Sequence, residues 1–289
     1  MSSKDLLEKV KQLREITGIG FKDCKAAIDE TNGDIEKSVE LLRKKGISKA
    51  SKRMGRTAAE GLICIHENDN KFSMIELNSE TDFVAKNEKF INFATELSKL
   101  SFNKFGKMDD ILNSKMENNK IVKDNLVDLI SKIGEKITLS RSAFVGDDKS
   151  INFSYVHSSL KQNVGKLGVL LSIETTKPKN DILELGKQLA MHIAASSPLA
   201  IDRDGLDQNL IKKEKEIITE ELKNSGKDPK IVEKIANGKL EKFISENTLL
   251  NQEWIMEPKK KVKDIMKKFA GNDKIEIKKY VRYKVGEVL

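Results

Sequence analysis

The sequence predicts an α+β protein: a small N-terminal three-helix domain, then two similar α+β subdomains with antiparallel sheets, the second carrying an inserted antiparallel helical hairpin. Three observations predict it. Apolar residues in the first 46 positions recur at helical spacing between tight-turn signals. From residue 61 onward, short apolar runs and helical stretches follow the order strand, strand, helix, helix, strand, and that order occurs twice. Between residues 207 and 250, apolar positions one heptad apart interrupt the second occurrence. A chain of 289 residues has room for about two core-bearing domains. The expected division is a helical domain at 1–46, a basic linker at 47–60, an N-terminal core subdomain at 61–148 and a C-terminal core subdomain at 149–289.

In the first domain Leu6, Leu7, Val10 and Leu13 follow Ser3, a residue suited to an N-cap. Thr17-Gly18-Ile19-Gly20 breaks that helix. Phe21, Cys24, Ala27 and Ile28 make a second stripe that ends at Asn32-Gly33, and Asp34 caps a third helix bearing Ile35, Val39 and Leu42. Fewer than about 50 residues bury little core, so this is a small interaction module, marginal alone. The stretch from Arg43 to Arg56 then carries seven basic residues and no acidic one. It reads as a solvated linker with a short helical stretch, or else as a basic arm on RNA or an acidic partner.

Past the linker, Leu62–Ile65 and Phe72–Leu77 flank the turn residues Asn68-Asp69-Asn70 and predict a β-hairpin over 61–78. Phe90, Phe93, Ala94 and Leu97 mark one helix, and Val122, Leu126, Leu129 and Ile133 another. A strand at 137–145 closes the block. The second block has strands near 151–156 and 167–173, and a helix over 181–195 that Ser196-Ser197-Pro198 stops. A helix with Val262, Ile265, Met266 and Phe269 leads to a last strand at 275–285. Its insertion pairs Leu210/Ile211, Ile217/Ile218 and Leu222 with Ile231, Val232, Ile235, Leu240, Phe243 and Ile244 across a turn at Ser225–Pro229. Such narrow apolar seams suit a projecting hairpin.

The net charge of +8 is uneven: residues 1–56 carry +5 and 258–289 carry +7, leaving the body at −4. A nucleic-acid binder would show a basic platform interleaved with aromatics, whereas the few aromatics here fall mostly on apolar stripes. A peptide adaptor is the other binding class that a three-helix module alone allows. No run approaches the roughly 18 apolar residues of a membrane span, and the start lacks an apolar signal region, which predicts a soluble cytoplasmic protein. Cys24 and Cys64 make neither a disulfide framework nor a four-thiolate metal site. Of the three histidines, His66 lacks the second His of a zinc motif, and His192 sits in an apolar helix where a structural role fits. Gly18-Ile19-Gly20 lacks the strand and third glycine of a dinucleotide site, and no phosphate-binding loop motif occurs. The expectation is a protein without covalent chemistry, cofactor or metal.

One segment departs from ordinary surface composition: Asn78-Ser79-Glu80-Thr81-Asp82-Phe83-Val84-Ala85-Lys86-Asn87. A carboxylate beside a large aromatic at an element junction suits a tip that enters another protein. The other reading, favoured by how common capping is, has Thr81 or Asp82 cap a helix and Phe83 pack inward. Thr81 to Asn87 resembles the signature of the elongation factor Ts family. Thr17-Gly18-Ile19-Gly20-Phe21-Lys22-Asp23-Cys24-Lys25 matches the pattern in that family's small UBA-like domain. Lys132–Glu135, Tyr155–His157, Met191–Ser196, Ile231–Leu240 and Val281–Glu287 fall in the family's order, so the likeness spans residues 4 to 287.

The resemblance implies a guanine-nucleotide exchange factor that binds elongation factor Tu in its GDP-bound and nucleotide-free forms, with no nucleic acid or membrane as direct partner. Asp82 and Phe83, with Thr81 and Val84, are implied to enter the GTPase domain and displace its magnesium ion. Arg14, Phe21 and Lys22 occupy positions where the family's small domain meets the nucleotide domain, many relatives having Met in place of Phe21-Lys22. His157 sits where the second subdomain meets another domain of the partner. The loop from Ser158 to Gly165 is longer than the family's usual one. Many relatives also continue past the Val285-Gly286-Glu287 motif into a helix that touches the partner, a contact expected to be missing here.

Overall fold

The computed structural model describes residues 3–147, 149–223 and 229–287. Left-handed backbone at Gly18 (φ +67°) and at Asn32 and Gly33 (φ +53° and +85°) ends the first two helices, α1 (Ser3–Thr17) and α2 (Phe21–Glu30). Asp34 caps α3 (Ile35–Arg53), its carboxylate accepting the Lys37 N–H at 3.0 Å. Val10, Leu13, Cys24, Ala27, Ile28 and Leu42 fill the small core between the three helices. Phe21, read as part of that stripe, instead opens α2 with its ring exposed, and Leu7 is also exposed. The side chain of Ser3 lies outside the described residues.

The third helix does not end near Gly46. It continues to Arg53, so about half of the predicted basic linker is helical. The cause is tertiary. Gly46 and Ala50 are buried where α3 meets α7 (Val122–Ile133), and a Cβ on Gly46 would stand 2.6 Å from Ser131 Oγ. Arg53 Nη1 donates to the Ile130 carbonyl at 3.2 Å. Most of the basic run is neutralised nearby: Arg43 by Asp124 at 3.6 Å, Lys44 by Glu40 at 2.8 Å, Lys49 by Asp23 at 2.9 Å, and Lys45 by Glu30. Each of these cations has a carboxylate beside it, which lowers the field that the run presents to an anionic partner.

The first core subdomain contains β1 (Glu60–Asn68), β2 (Lys71–Ser79), α4 (Asp82–Ala85), α5 (Glu88–Asn103), α6 (Met108–Leu112), α7 and β3 (Thr138–Val145). The second contains β4 (Ser150–His157), β5 (Val164–Gly165), β6 (Leu167–Thr175), α8 (Lys179–Ser196), α9 (Gln208–Lys223), α10 (Pro229–Asn247), a short 3-10 turn, α11 (Val262–Ala270) and β7 (Ile275–Lys284). The sheets are antiparallel, with strand orders β3-β2-β1-β5 and β4-β6-β7. In each, the second hairpin strand is central and carries a register shift at the same step, between Glu76 and Leu77 in β2 and between Ser172 and Ile173 in β6. A shared topology and a shared bulge support two similar subdomains.

Four layers result. Leu62, Cys64, Ile75 and Leu77 face α5 and α7 over Phe90, Leu97 and Leu129, while Val169, Leu171 and Ile173 face α8 and α11. The inner sheet faces meet over Ile63, Ile65, Met74 and Leu170. Leu62–Ile65 is apolar throughout because both faces of β1 are covered. The longer loop after His157 bends back through left-handed Ser158 and Asn163, and its Val164-Gly165 pairs with Cys64 and Ile63. The first sheet is thus completed by a strand from the second subdomain.

Helices α9 and α10 pack on each other around Ile218, Leu222, Leu240 and Ile244, an apolar cluster separate from the two main cores. Ile217 and Ile231, read into the seam, are exposed, because successive residues turn by about 100° and at these two places the seam takes Ile218 and Val232 instead. Phe269 is likewise turned out of its core. Residues Ser225 to Asp228 of the hairpin turn, and the side chain of Pro229, lie outside the described residues.

Candidate functional site

The segment from Glu80 to Asn87 leaves the end of β2 and makes the single turn α4 before α5 begins. Val84 and Ala85 are buried in the core under α5, which fixes the turn from below. On a helix so short, seating those two positions sends Phe83 outward, where it is 81% exposed. The inward reading of Phe83 does not hold. Asp82 stands beside it, its Oδ2 accepting Lys86 Nζ at 2.8 Å. That hydrogen bond holds the Asp82 carboxyl below the usual carboxylate range, with the positive charges of Lys86 and Lys166 adding to it.

Thr81 takes the N-cap position, but its hydroxyl does not cap the helix. It donates to Glu135 Oε1 at 2.7 Å, while its backbone N–H donates to Glu135 Oε2 at 3.0 Å. Next to it Glu80 Oε1 accepts the Lys136 N–H at 2.6 Å, and Lys136 Nζ donates to the carbonyls of Met54 and Arg56 at 2.7 and 2.8 Å. The tip is therefore clamped at its root and bare at its end. Of the residues singled out in the sequence, Asp82 and Phe83 are presented, whereas Thr81 and Val84 are turned to holding them. The sequence places Glu135 in a family segment without marking a role for it. Its signal is positional: Gly134 ends α7 in the left-handed region (φ +93°), which delivers the next carboxylate into the loop.

Arg14, Phe21 and Lys22 are exposed around the α1–α2 turn. Gly18 in that turn lies against Lys132, whose Cε is 3.4 Å from where a Cβ would be. Helix α7 thus supports the small domain at Lys132 and leads directly to the clamp at Glu135. His157 ends β4, exposed, with Nδ1 at 3.0 Å from the Tyr155 hydroxyl and its carbonyl accepting the Lys166 N–H at 3.4 Å. Lys166 also pairs with Glu60 at 2.7 Å and acts on Asp82 through its charge. Asp82 and His157 accordingly share one end of the molecule.

The other reactive side chains are occupied structurally. His192 is fully buried, bonded through Nε2 to Gln252 Oε1 at 3.0 Å and stacked on Trp254, and burial lowers its pKa. Burial pushes the Cys64 thiol up to about 12 and raises Cys24 as well. Among the described residues no group of three or more His, Cys, Asp or Glu side chains is placed to hold a metal ion, and no helix is long and apolar enough to cross a membrane.

A family model described as elongation factor TS matches residues 80–287, beginning at the root of the tip. The chain is 41% identical over 281 residues to elongation factor Ts of Methylorubrum extorquens strain PA1, covering 96% of this chain and 91% of that protein. Against elongation factor Ts of Bartonella henselae it is 42% identical over 284 residues, covering 96% and 92%. Against that of Maricaulis maris it is 38% identical over 283 residues, covering 96% and 91%. With a family model over residues 80–287 and relatives matched along nearly its whole length, the chain belongs to the elongation factor Ts family of translation elongation factors.

Proposed function

We propose that this protein is a guanine-nucleotide exchange factor in the cytoplasm, binding elongation factor Tu and accelerating its release of GDP without covalent chemistry of its own. The observation that carries the reading is Phe83, 81% exposed beside the ionised Asp82 on a turn clamped by Glu135. An exposed aromatic is ordinarily a liability; one mounted on a fixed turn has its ordering cost met before binding. Phe83 serves as the apolar wedge, and Asp82 disturbs the polar groups around the magnesium ion that the GTPase holds with its nucleotide. Exchange requires only that the factor bind the nucleotide-free GTPase better than the GDP-bound form. Linkage then makes GDP and the factor weaken one another by the same ratio. The small-domain residues Arg14, Phe21 and Lys22 and the second-subdomain residue His157 supply further contact, whose binding energy is directed to the wedge.

The test is release of labelled GDP from purified elongation factor Tu. The double variant Asp82→Ala/Phe83→Ala melts within the range of a surface substitution, about ±0.5 kcal/mol, because neither side chain is in a core. It still binds the GTPase but accelerates release far less, and magnesium chelation narrows the gap to the native protein. Full exchange activity in a folded double variant would remove the wedge assignment.

A further inference from the structure

The two regions that carry the wedge and His157 belong to different subdomains, and a buried polar knot joins these. Glu76 lies in the run Phe72–Leu77 of β2 and is 2% exposed. Its Oε2 accepts Arg141 Nε at 2.6 Å, and its Oε1 accepts both Asn78 Nδ2 and the backbone N–H of Gly286 at 2.9 Å. Arg141 Nη2 donates to the Lys284 carbonyl at 2.9 Å, and the guanidinium sits 4.3 Å from the centre of the Tyr283 ring. The Tyr283 hydroxyl closes the knot, donating to the Ser142 carbonyl at 3.1 Å. Gly286 takes left-handed backbone (φ +73°), and a Cβ there would stand 2.2 Å from the Ala59 carbonyl oxygen. Only glycine lets the segment after β7 close over the first subdomain.

Stability alone is a poor reason for this arrangement. The stacked sheets already bury an apolar interface, and an ion pair taken out of water contributes little beyond what apolar residues of the same size would. What directional bonds to a buried carboxylate add is one relative placement of the two subdomains. The placement matters at the functional end. Glu76 lies on the strand that runs on into Asp82-Phe83. On the other side, the Val285 N–H donates to the Lys166 carbonyl at 2.9 Å, and the Lys166 N–H donates to His157.

We propose that Glu76, Arg141 and Gly286 form a latch between the subdomains that sets the spacing of the wedge from the His157 surface, which makes them positioning residues for nucleotide exchange; this rests on the exchange reading above. Two contact surfaces on one body engage together only when their spacing matches the partner. Binding energy gathered at one surface reaches the other only through a rigid connection.

The experiment uses the full chain with spin labels at Glu88→Cys on α5 and Lys187→Cys on α8, both exposed positions, while native Cys24 and Cys64 stay buried and unlabelled. Gly286→Ala is the main variant, since it displaces the segment and leaves the Glu76–Arg141 pair in place. Glu76→Gln is the second, and if it fails to fold, Gly286→Ala alone carries both readouts. The expected result is an inter-label distance distribution about twice as wide as native. The maximum rate of GDP release falls on the order of tenfold, with affinity for the GTPase changed by less than about threefold. An unchanged distribution overturns the latch. A widened distribution with a native maximum rate overturns its positioning role. Phe83→Ala is measured alongside: if it exchanges at the full rate while the latch variants widen and slow, the wedge reading fails, and the latch stands as the link that places another surface of the first subdomain against His157.

Discussion

The carboxylate of Glu135 shows how a single side chain decides what a surface can do. It receives both the N–H and the hydroxyl of Thr81, so the tip leaves the sheet in one direction. Hydrogen bonds to an ionised group contribute about 1.5–3 kcal/mol in favourable cases, and solvent screening at this half-buried site discounts that. Glu135→Ala is expected to lower stability by about 1 kcal/mol and to raise amide hydrogen exchange at Thr81 and through α4 well beyond that global change. GDP release should slow although Asp82 and Phe83 are untouched. Protection at Thr81 that is unaltered in the variant would show that Val84 and Ala85 seat the turn unaided.

At the scale of elements, the contact between α3 and α7 decides where the small domain stands. Gly46 is poor for a helix interior, and replacing it by Ala in an isolated helix would gain about 0.5–1 kcal/mol. Here the added Cβ meets Ser131 Oγ at 2.6 Å, so the gain is opposed by the docking it disturbs. Gly46→Val is expected to part the two helices and to speed tryptic cleavage after Arg53 and Arg56, as read by a digestion time course. Gly46→Ala combined with Ser131→Ala removes the obstruction and should resist trypsin at least as well as the native chain. Equal cleavage rates in all three proteins would mean that the docking does not depend on close approach at this point.

For the whole molecule, the stacking of helices, sheet, sheet and helices leaves Cys64 between a sheet and its covering helix. Its thiol, pushed up to about 12 by burial, is not ionised near neutral pH and is not reached by solvent. Both cysteines should therefore stay unmodified by a thiol reagent at pH 8 on the time scale of native fluctuations. Cys64 should react only through global opening, at a rate that follows the unfolding free energy in low denaturant. Cys24, in the small three-helix core, is expected to react earlier, since that core is the smaller one and opens at lower cost. Simultaneous modification of the two thiols would show instead that the small domain and the core subdomains unfold as one unit.

Much of this was legible in the sequence because it is local. Apolar spacing located the helices, Asn-Gly and Asp-Asn dipeptides located the turns, and the doubled order of elements announced two similar subdomains. The unusual composition of Asn78–Asn87 marked the tip, and its likeness to one family supplied the expected partner. Whether Phe83 pointed in or out was undecidable there, because a capped turn and a presented tip use the same residues. That choice depends on Val84 and Ala85 meeting a core assembled from helices and strands tens of residues away. The same holds for the second half of α3, whose basic residues resemble a linker until α7 and the carboxylates of α2 are beside it. It holds most of all for Glu76 and Gly286, which are 210 positions apart and meet only because the two sheets stack. Local preferences read neighbours along the chain; the side chains that set the two subdomains in place are neighbours only in space.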